Sequence, residues 1–549
     1  MKKVGIIVEE VLVSKQLYDL IKLSSCAENY VITTLIINDS SRQADRFFAK
    51  IKHYVERHGL LKLLANSLFK ALRLFESSVV KRNKKFAGSF AKYDLGEFNL
   101  NIIQVAPNIS KSGLIYSYGH HDIEKIKVEG LDILVRGGNG ILRGNILNIC
   151  PNGVVSFHHG DNDVNRGGPP GFWEVFLKQP RTGFIIQRLK DELDGGDVLY
   201  KGYIATEWLY MLNLAKLYES SNPFLHLVLE QLTSTTCELR VADKTPYCYP
   251  LYKLPTISQQ LRYVFKTLLI VLRKLLLKLS SQSYRWSVAF QFTDSWKDVA
   301  LWRSIKIPNP KNRFLADPFL IKRDGKHYCF VEDYSYLTAL GRIGVYEITK
   351  SGTTEIGIVL EESFHLSYPY LFEFDGNLYM CPETRGSREI RLYKCIDFPL
   401  VWEFHKVIMQ NVSAADTNIF CKEDRWWLMS NISKSHIGND SELHIFSSDD
   451  PTTDSWHPHA QNPVIFDSLR GRNGGFIFDE EEIFRVYQRQ GFNMYGEALG
   501  VSKISKLTQN QYEEIPLLVA DGIVIPSIGL RESLADKNEI NIVPTIAGS

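Results

Sequence analysis

The sequence predicts a multidomain protein: a Rossmann-like α/β domain, then a helical linker, then an all-β five-bladed propeller. Three observations support this. The 549 residues are enough for two or three separate cores. Short apolar runs alternate with helical patterns over the first 200 residues, and short aromatic strands with recurrent turns follow Trp286. We place the domain boundaries at 1–204, 205–284 and 285–549.

Composition narrows the class of protein. The net charge of +2 argues against a nucleic-acid binder, whose binding domain is normally strongly basic. The eight cysteines are scattered with no CxxC pair, which predicts neither a metal site nor a disulfide framework. Glu9 and Glu10 interrupt the apolar start "MKKVGIIVEE" before a signal-peptide core can form, so we expect a cytoplasmic protein.

The prediction of the first domain rests on its apolar strands. "KVGIIVEE", "YVITTLIIND", "LDILVRGGNGIL" and "GVVSFHHG" are short apolar runs typical of buried parallel strands, and a helical insertion is predicted at 41–90. The polar stretch "HHGDNDVNRGG" directly follows the last of these strands. In an open α/β sheet, ligands bind in the crevice beyond the carboxyl ends of the strands.

The predicted linker contains a basic amphipathic segment at 261–280, "LRYVFKTLLIVLRKLLLKLS". Two interpretations stay open. The segment is an ordinary helix packed on a core or on another subunit, or it lies in a membrane interface with its lysines at anionic headgroups and its leucines buried.

An internal repeat predicts the propeller. "DPFLIKRDGKHYCFVED" (Asp317–Asp333) and "YPYLFEFDGNLYMCPET" (Tyr368–Thr384) share an Asp-Gly hairpin turn at the same offset, and Thr417–Ile432 and Gly474–Gln490 are weaker copies. A strand-turn-strand unit recurring about every 50 residues is typical of propeller blades. Five such blades fill the chain from Trp286, and we expect "YGEALGVSKI" (Tyr495–Ile504) to close the ring.

The stretch "LDILVRGGNGIL…GVVSFHHGDNDVNRGGPPGFWEVF…RLKDELDGGDVL" resembles the catalytic half of folate-dependent formyltransferases. That family carries an Asn-x-His strand end, an Arg-Gly eight residues later, and an aspartate in a Leu-Asp turn. The resemblance implies catalytic roles for His158 and Asp194, with Ser156 as a weakened oxyanion contact in place of asparagine. The alternative for His158 is a turn or capping histidine. The implied cofactor is 10-formyltetrahydrofolate, bordered by Arg136, Gly137, Gly138, Asn139, Arg166 and Gly167.

The inserted acids Asp161 and Asp163 also depart from the formyltransferase pattern. We expect them to make the mouth of this site acidic, which disfavours anionic substrates and favours an ammonium group or sugar hydroxyls.

"ADPFL", "HLSYPYLFE", "MCPET" and "FPLVWEF" resemble the propeller domain at the front of plant glucosamine inositolphosphorylceramide transferases, and the fold resembles furanosidase-type glycosidases. The resemblance covers about 290–500. It implies a central funnel carrying paired carboxylates, as glycoside chemistry requires; these are Asp317, Glu332, Glu383 and Asp416. The alternative for Asp317 is a structural cap at the strand ends. Glycosidases of this fold usually have a general-acid glutamate in the blade after the second aspartate, and in this sequence that blade starts with Gly474-Gly475. A sugar-stacking surface is predicted from Tyr368, Tyr370, Trp426, Trp427 and Arg472.

Three functional hypotheses follow. The first is an enzyme of glycan biosynthesis that transfers a formyl group from 10-formyltetrahydrofolate to an amino sugar held by the propeller. The second is glycoside hydrolase or glycosyltransferase activity in the propeller, with the front domain a non-catalytic scaffold. The third is a carbohydrate-binding module. The expected partners are a sugar nucleotide or lipid-linked glycan and, through 261–280, the inner face of a membrane, with no nucleic acid.

Overall fold

A computed structural model describes residues 1–39, 56, 59–110, 113–138, 140–164, 166–192, 195–234, 251–279, 286–293, 295–299, 301–435, 437–521 and 539–546. The chain divides into two compact units, Met1–Arg273 (unit 1) and Lys274–Ser549 (unit 2). Within these residues, no helix combines the length and the apolar character needed to cross a membrane.

Unit 1 begins with a short strand and mixes helices and strands throughout. Its helices are α1 (Lys15–Ser24), α2 (Leu60–Lys81), α3 (His120–Val128), α4 (Phe172–Leu177), α5 (Tyr210–Thr233) and α6 (Ile257–Leu279), with 3₁₀ turns at Leu95–Glu97 and Gly144–Asn148. The residues of α6 from Lys274 onward belong to unit 2. Its strands are β1 (Lys2–Val8), β2 (Leu12–Ser14), β3 (Tyr30–Asn38), β4 (Lys92–Asp94), β5 (Asn101–Val105), β6 (Asn108–Ile109), β7 (Ile115–Ser117), β8 (Ile133–Arg136), β9 (Ile141–Leu142), β10 (Val154–His158), β11 (Arg166–Gly167), β12 (Arg181–Arg188), β13 (Asp197–Ala205) and β14 (Leu251–Tyr252).

The core of unit 1 is a seven-stranded sheet in the order β13-β12-β10-β8-β1-β3-β5. The five strands from β10 to β5 run parallel, and β12 runs antiparallel to both of its neighbours, β10 and β13. The apolar runs at Val4–Val8 and Ile133–Val135 are buried, as strands covered on both faces require. Because β1, β8 and β10 run parallel, their carboxyl ends lie at one edge of the sheet. The direction of winding reverses at β1, which is where a ligand crevice forms in such sheets.

Helix α5 corrects the predicted boundary at 204. The helix packs against α1, α2, β12 and β13, with Leu214, Leu217, Phe224 and Val228 buried. It therefore belongs to the core of unit 1 and not to a linker. The helical pattern predicts the helix, but the surface that it covers depends on how the sheet and the other helices of unit 1 pack.

Unit 2 consists almost entirely of strands. They are β15 (Trp286–Thr293), β16 (Ile305–Lys306), β17 (Arg313–Arg323), β18 (Lys326–Ser335), β19 (Leu340–Thr349), β20 (Gly352–Leu360), β21 (Ser367–Phe374), β22 (Asn377–Glu383), β23 (Glu389–Asp397), β24 (Val401–Gln410), β25 (Ala414–Lys422), β26 (Arg425–Ile432), β27 (Glu442–Ser448), β28 (His457–Pro458), β29 (Ile465–Phe466), β30 (Arg472–Asp479), β31 (Glu482–Gly491), β32 (Met494–Leu507), β33 (Tyr512–Asp521) and β34 (Glu539–Ile546). Single 3₁₀ turns occur at Trp296–Asp298, Leu301–Arg303 and Arg385–Ser387.

These strands form five antiparallel sheets that follow one another along the chain, beginning at β17, β21, β25 and β30, with a fifth made of β16, β15 and β34. The first strands β17, β21, β25 and β30 contact one another in turn, and β15 contacts β17. Trp286 and Trp296 pack on Phe484 of the fourth sheet, which completes a ring. Unit 2 is thus arranged as a five-bladed propeller.

The closing strand differs from the predicted one. "YGEALGVSKI" lies in β32, the third strand of the fourth sheet, and the ring closes where β15 pairs with β34 over eight residues. An apolar strand pattern predicts β32 correctly as a strand, but it does not specify the partner of that strand.

Candidate active site

Three neighbouring blades place an unusual residue at the same point of the first strand. A bulge interrupts the ladder after Ala316, Ser367 and Ala415, and the next residues, Asp317, Tyr368 and Asp416, adopt φ of 45°, 49° and 48°. Aspartate tolerates the left-handed region, whereas a bulky tyrosine is an outlier there. Strained backbone of this kind persists where the surrounding structure imposes it, and it clusters at functional sites.

The second strands add two glutamates. Glu332 lies opposite Ala316 and Glu383 lies opposite Ser367, each beside a bulge. The structure therefore brings together Asp317, Glu332, Glu383 and Asp416, which we call the carboxylate cluster; the charge of at least one other member raises the pKa of each. In the third blade the corresponding position, opposite Ala415, holds Asn431.

Arg472, at the start of β30, pairs with the cluster. Its Nε lies 2.6 Å from Asp416 Oδ2, and its Nη2 donates to Asp416 Oδ1 at 3.1 Å. The same Nη2 lies 3.8 Å from Glu383 Oε2. Asp416 also shares a side-chain hydrogen bond with Glu383, which accepts the backbone N–H of Asp416. These contacts fix Asp416 and Glu383 as a positioned pair.

Asp317 is held differently. Its carboxyl group accepts the backbone N–H of Tyr368, and the residue is partly exposed, whereas Asp416 is only 2% exposed. Of the two aspartates, Asp317 is therefore the one more open to a bound molecule.

Burial raises the pKa of all four carboxyl groups, because each charged form loses hydration. The charge of Asp416 raises the pKa of Asp317 further, and the charges of Asp317 and Glu383 do the same for Glu332. Arg472 opposes this effect at Asp317, Glu383 and Asp416. The cluster therefore retains protons near neutral pH and offers both proton donors and proton acceptors.

His365 is a neighbour that the sequence analysis missed. Its Nδ1 accepts the backbone N–H of Gly341 at 2.8 Å, which leaves the proton on Nε2, 3.5 Å from Glu332 Oε1. Burial lowers the pKa of His365, so the neutral ring is favoured. The histidine stands just before the second-blade repeat, where its pairing with a glutamate 33 residues earlier leaves no local signal.

The structure differs from the predicted sugar-stacking surface. Tyr368, Tyr370 and Trp427 are buried, so their faces are not available to a sugar. Tyr495 is instead 49% exposed, with the Arg472 guanidinium 5.2 Å from its ring centre. An exposed tyrosine beside a carboxylate cluster suits stacking against a sugar ring.

Unit 1 has its own cavity of about 540 Å³ at the carboxyl edge of the sheet. Its lining includes the predicted residues Arg136, Gly137, Gly138, Ser156, His158 and Gly167. Asn139 and Asp194 lie outside the described residues, and Arg166 is described only as backbone of β11.

The structure does not place Ser156 as an oxyanion donor. Ser156 is 1% exposed, its hydroxyl donates to the Phe157 carbonyl at 3.0 Å, and it accepts from Arg136 Nη1 at 3.1 Å. Arg136 also donates to the Gly140 carbonyl at 2.6 Å, so it holds its own loop. The cavity is large enough for a cofactor, but the Ser156 hydroxyl does not fit the role of oxyanion donor in formyl transfer. Formyl transfer from 10-formyltetrahydrofolate stays a prediction.

The expected acidic mouth also changes. Lys201 Nζ lies 2.8 Å from Asp161 and 2.6 Å from Asp163, and neither acid is among the residues that line the cavity. His159 stacks on Phe157 and packs at a tilt against Tyr218, and burial lowers its pKa to about 3. It is therefore a neutral packing residue.

Comparison with known proteins supports the resemblance of the propeller half. Residues 298–523 match the family model "Glucosamine inositolphosphorylceramide transferase 1, N-terminal". Glucosamine inositolphosphorylceramide transferase 1 of Arabidopsis thaliana is 37% identical over 216 residues, 38% of this chain and 27% of the plant protein. The protein of the same name from Oryza sativa subsp. japonica is 35% identical over 239 residues, 42% of this chain and 30% of its own length. The chain thus spans less than a third of these relatives.

Among solved structures, Zg3597, a family 117 glycoside hydrolase of Zobellia galactanivorans, aligns over 48% of this chain and 90% of its own, with 11% identity and a TM-score of 0.33. The α-L-arabinanase of Cellvibrio cellulosa aligns over 37% of this chain and 77% of its own, with 14% identity and a TM-score of 0.30.

Proposed function

We propose that unit 2 carries an active site for glycosidic-bond chemistry, in which the carboxylate cluster moves a glycosyl group from a glycoside to an acceptor hydroxyl. The observation that carries this proposal is the gathering of four carboxyl groups with raised pKa, two of which contact Arg472. Cleavage of a glycosidic bond requires one carboxyl group that keeps its proton and one that is ionised.

Asp317 is the proton donor in this proposal. Burial and the Asp416 charge keep its proton in place near neutral pH, and its partial exposure lets it reach a bound glycoside. The proton passes to the leaving oxygen as the bond to the anomeric carbon breaks. Glu383, ordered by Asp416 and Arg472, accepts the proton of the incoming hydroxyl as the new bond forms.

The acceptor we favour is a hydroxyl of a lipid-linked glycan. The plant relatives are named as transferases that act on inositolphosphorylceramide, and the matched segment contains the whole cluster. With water as acceptor the same groups would perform hydrolysis. In this proposal unit 1 is a scaffold for the reaction.

The test uses the full chain with methyl glycosides of glucosamine, N-acetylglucosamine and arabinofuranose, whose leaving oxygen must be protonated, with and without vesicles containing inositolphosphorylceramide. Methanol release and sugar transfer to lipid are measured. Asp317→Asn should lower kcat/KM by at least about 100-fold, because a positioned general acid contributes on the order of 10²–10⁴.

The matched control is Asp375→Asn. Asp375 is an exposed turn residue that also has a left-handed φ of 50°, so this variant makes the same chemical change on similar backbone outside the cluster. It should retain wild-type turnover. Equal turnover in Asp317→Asn and wild type would contradict the proposal, as would sugar binding without turnover on every donor, which is the behaviour of a binding module.

A further inference from the structure

Helix α6 exposes its apolar side and buries its polar one. Gln260 and Tyr263 face the protein, where Gln260 Nε2 donates to the Ala65 carbonyl at 2.9 Å and Tyr263 Oη donates to Glu76 Oε1 at 2.6 Å. At 100° per residue, Leu261, Phe265, Leu268 and Leu272 share the opposite side. These four side chains are 51–62% exposed. An apolar stripe that points away from its own fold marks an interaction surface.

The helix α2 extends this apolar exposure. Ala65, Phe69 and Glu76 face inward, while another side of the helix is apolar and exposed. Its most exposed apolar residues are Leu60, Leu61, Leu64, Leu74 and Phe75. The hydrogen bonds from Gln260 and Tyr263 join α2 to α6 within unit 1. We call the exposed apolar residues of these two helices the apolar face.

The charges beside the apolar face are positive. Helix α6 contains no aspartate or glutamate and five cations, namely Arg262, Lys266, Arg273, Lys274 and Lys278. Lys266 donates to the Phe176 carbonyl at 3.1 Å, and its pKa is lowered by burial and by the neighbouring charges of Lys178 and Arg262. Cations that crowd together next to an apolar stripe complement anionic groups next to an apolar phase.

We propose that the apolar face of α2 and α6 docks unit 1 on the surface of a bilayer containing anionic phospholipids. The leucine and phenylalanine side chains enter the acyl boundary, and the flanking cations of α6 contact lipid phosphates and carboxylates. A second copy of this chain would cover the leucines, but it would have to supply acids to meet the cations of α6, which has none of its own. This inference does not depend on glycosidic chemistry in unit 2.

The test is co-sedimentation of the full chain with vesicles of phosphatidylcholine, with and without about one-third phosphatidylserine. Wild type should bind the anionic vesicles at least about tenfold better than the neutral ones, and added salt should weaken that binding. The double variant Phe265→Glu with Leu268→Glu should bind at least about tenfold more weakly, since it removes two inserted apolar side chains and adds two negative charges.

The matched control is Leu337→Glu, which changes an 81% exposed leucine of unit 2 and should leave vesicle binding unchanged. An unaltered unfolding temperature in the double variant shows that loss of binding is not loss of folding. Absence of wild-type binding to anionic vesicles would overturn the proposal. So would a wild-type dimer that the double variant converts to a monomer without any vesicle binding, because the apolar face would then be a contact between copies.

Discussion

Asp317 illustrates how a single residue is set up for proton transfer. Its backbone is left-handed, its carboxyl group accepts one backbone N–H, and Asp416 lies close enough for its charge to raise the Asp317 pKa. Among the described residues, no arginine contacts it as closely as Arg472 contacts Asp416. Keeping a carboxyl group in this setting costs stability whenever it must ionise, so the residue trades stability for reactivity.

The first prediction is that Asp317→Asn stabilises the protein above neutral pH. The folded-state pKa of Asp317 is raised above the usual 3.8, so the favourable contribution of the protonated group is complete below about pH 4 and is lost as pH rises through the raised pKa. Asparagine cannot ionise. We expect an unfolding temperature about 2–4 °C above wild type at pH 8, with little difference at pH 4.

The measurement is thermal unfolding at both pH values, with Asp375→Asn as the control. A variant that is less stable than wild type at pH 8 would show that the carboxylate form is the stabilising one.

At the scale of elements, the cluster depends on close approach between the first two blades. Gly341 lies near the start of β19 and contacts the segment that precedes β21. Its N–H donates to His365 Nδ1, and its carbonyl accepts the Leu366 N–H at 2.9 Å. A Cβ at this position would lie 2.4 Å from the Leu366 carbonyl oxygen and 3.0 Å from Glu332 Oε1. The glycine therefore lets two blades and one cluster glutamate meet.

The second prediction concerns this contact. Gly341→Ala should destabilise the protein by about 1–3 kcal/mol, as overpacking does, because the nearest atom is backbone and cannot rotate away. It should also reduce turnover, since the added methyl group displaces Glu332 or His365. Chemical denaturation and kcat/KM report the two effects.

Gly344→Ala provides the matched comparison on the same strand, where the nearest atom to the new Cβ is 3.5 Å away. That variant should keep wild-type turnover and stay within about 0.5 kcal/mol in stability. Equal behaviour of the two variants would mean that the blades do not need the close approach at Gly341.

At the scale of the whole molecule, the propeller is closed by residues from the two ends of unit 2. Strand β15 supplies the buried Val288 and Phe290 to the fifth blade, and β34 pairs with it over eight residues. A closed ring leaves few strand edges open, so the last strand contributes to the stability of every blade.

The third prediction follows from this closure. A chain that ends after Asp521 lacks β34, and its β15 loses one of its two partners. We expect the unfolding temperature to fall by at least about 4 °C and self-association through the open edge to increase. Calorimetry and light scattering measure both, and a chain that ends after Ile546 is the control. Unchanged stability after the longer deletion would show that β34 is dispensable for closure.

Sequence by itself determined the features that are local in the chain. The Asp-Gly turns and alternating strands of Asp317–Asp333 and Tyr368–Thr384 predict hairpins, and their alignment predicts that Glu332 and Glu383 face one place. The apolar runs of β1, β8 and β10 likewise predict buried parallel strands. Each of these signals lies within about 20 residues, the range over which hydrogen-bonding period and side-chain alternation operate.

Only the tertiary structure decided which distant groups meet. Arg472 pairs with Asp416 across 56 residues, and His365 turns its Nε2 towards Glu332 across 33. Lys201 pairs with both Asp161 and Asp163, and Arg136 donates to the Ser156 hydroxyl for which the resemblance implied a catalytic contact. Such pairings depend on how strands and blades pack, and a side chain finds its partner only after that packing is complete. Local patterns therefore predict where the carboxyl groups lie, whereas long-range contacts decide which of them can give up a proton.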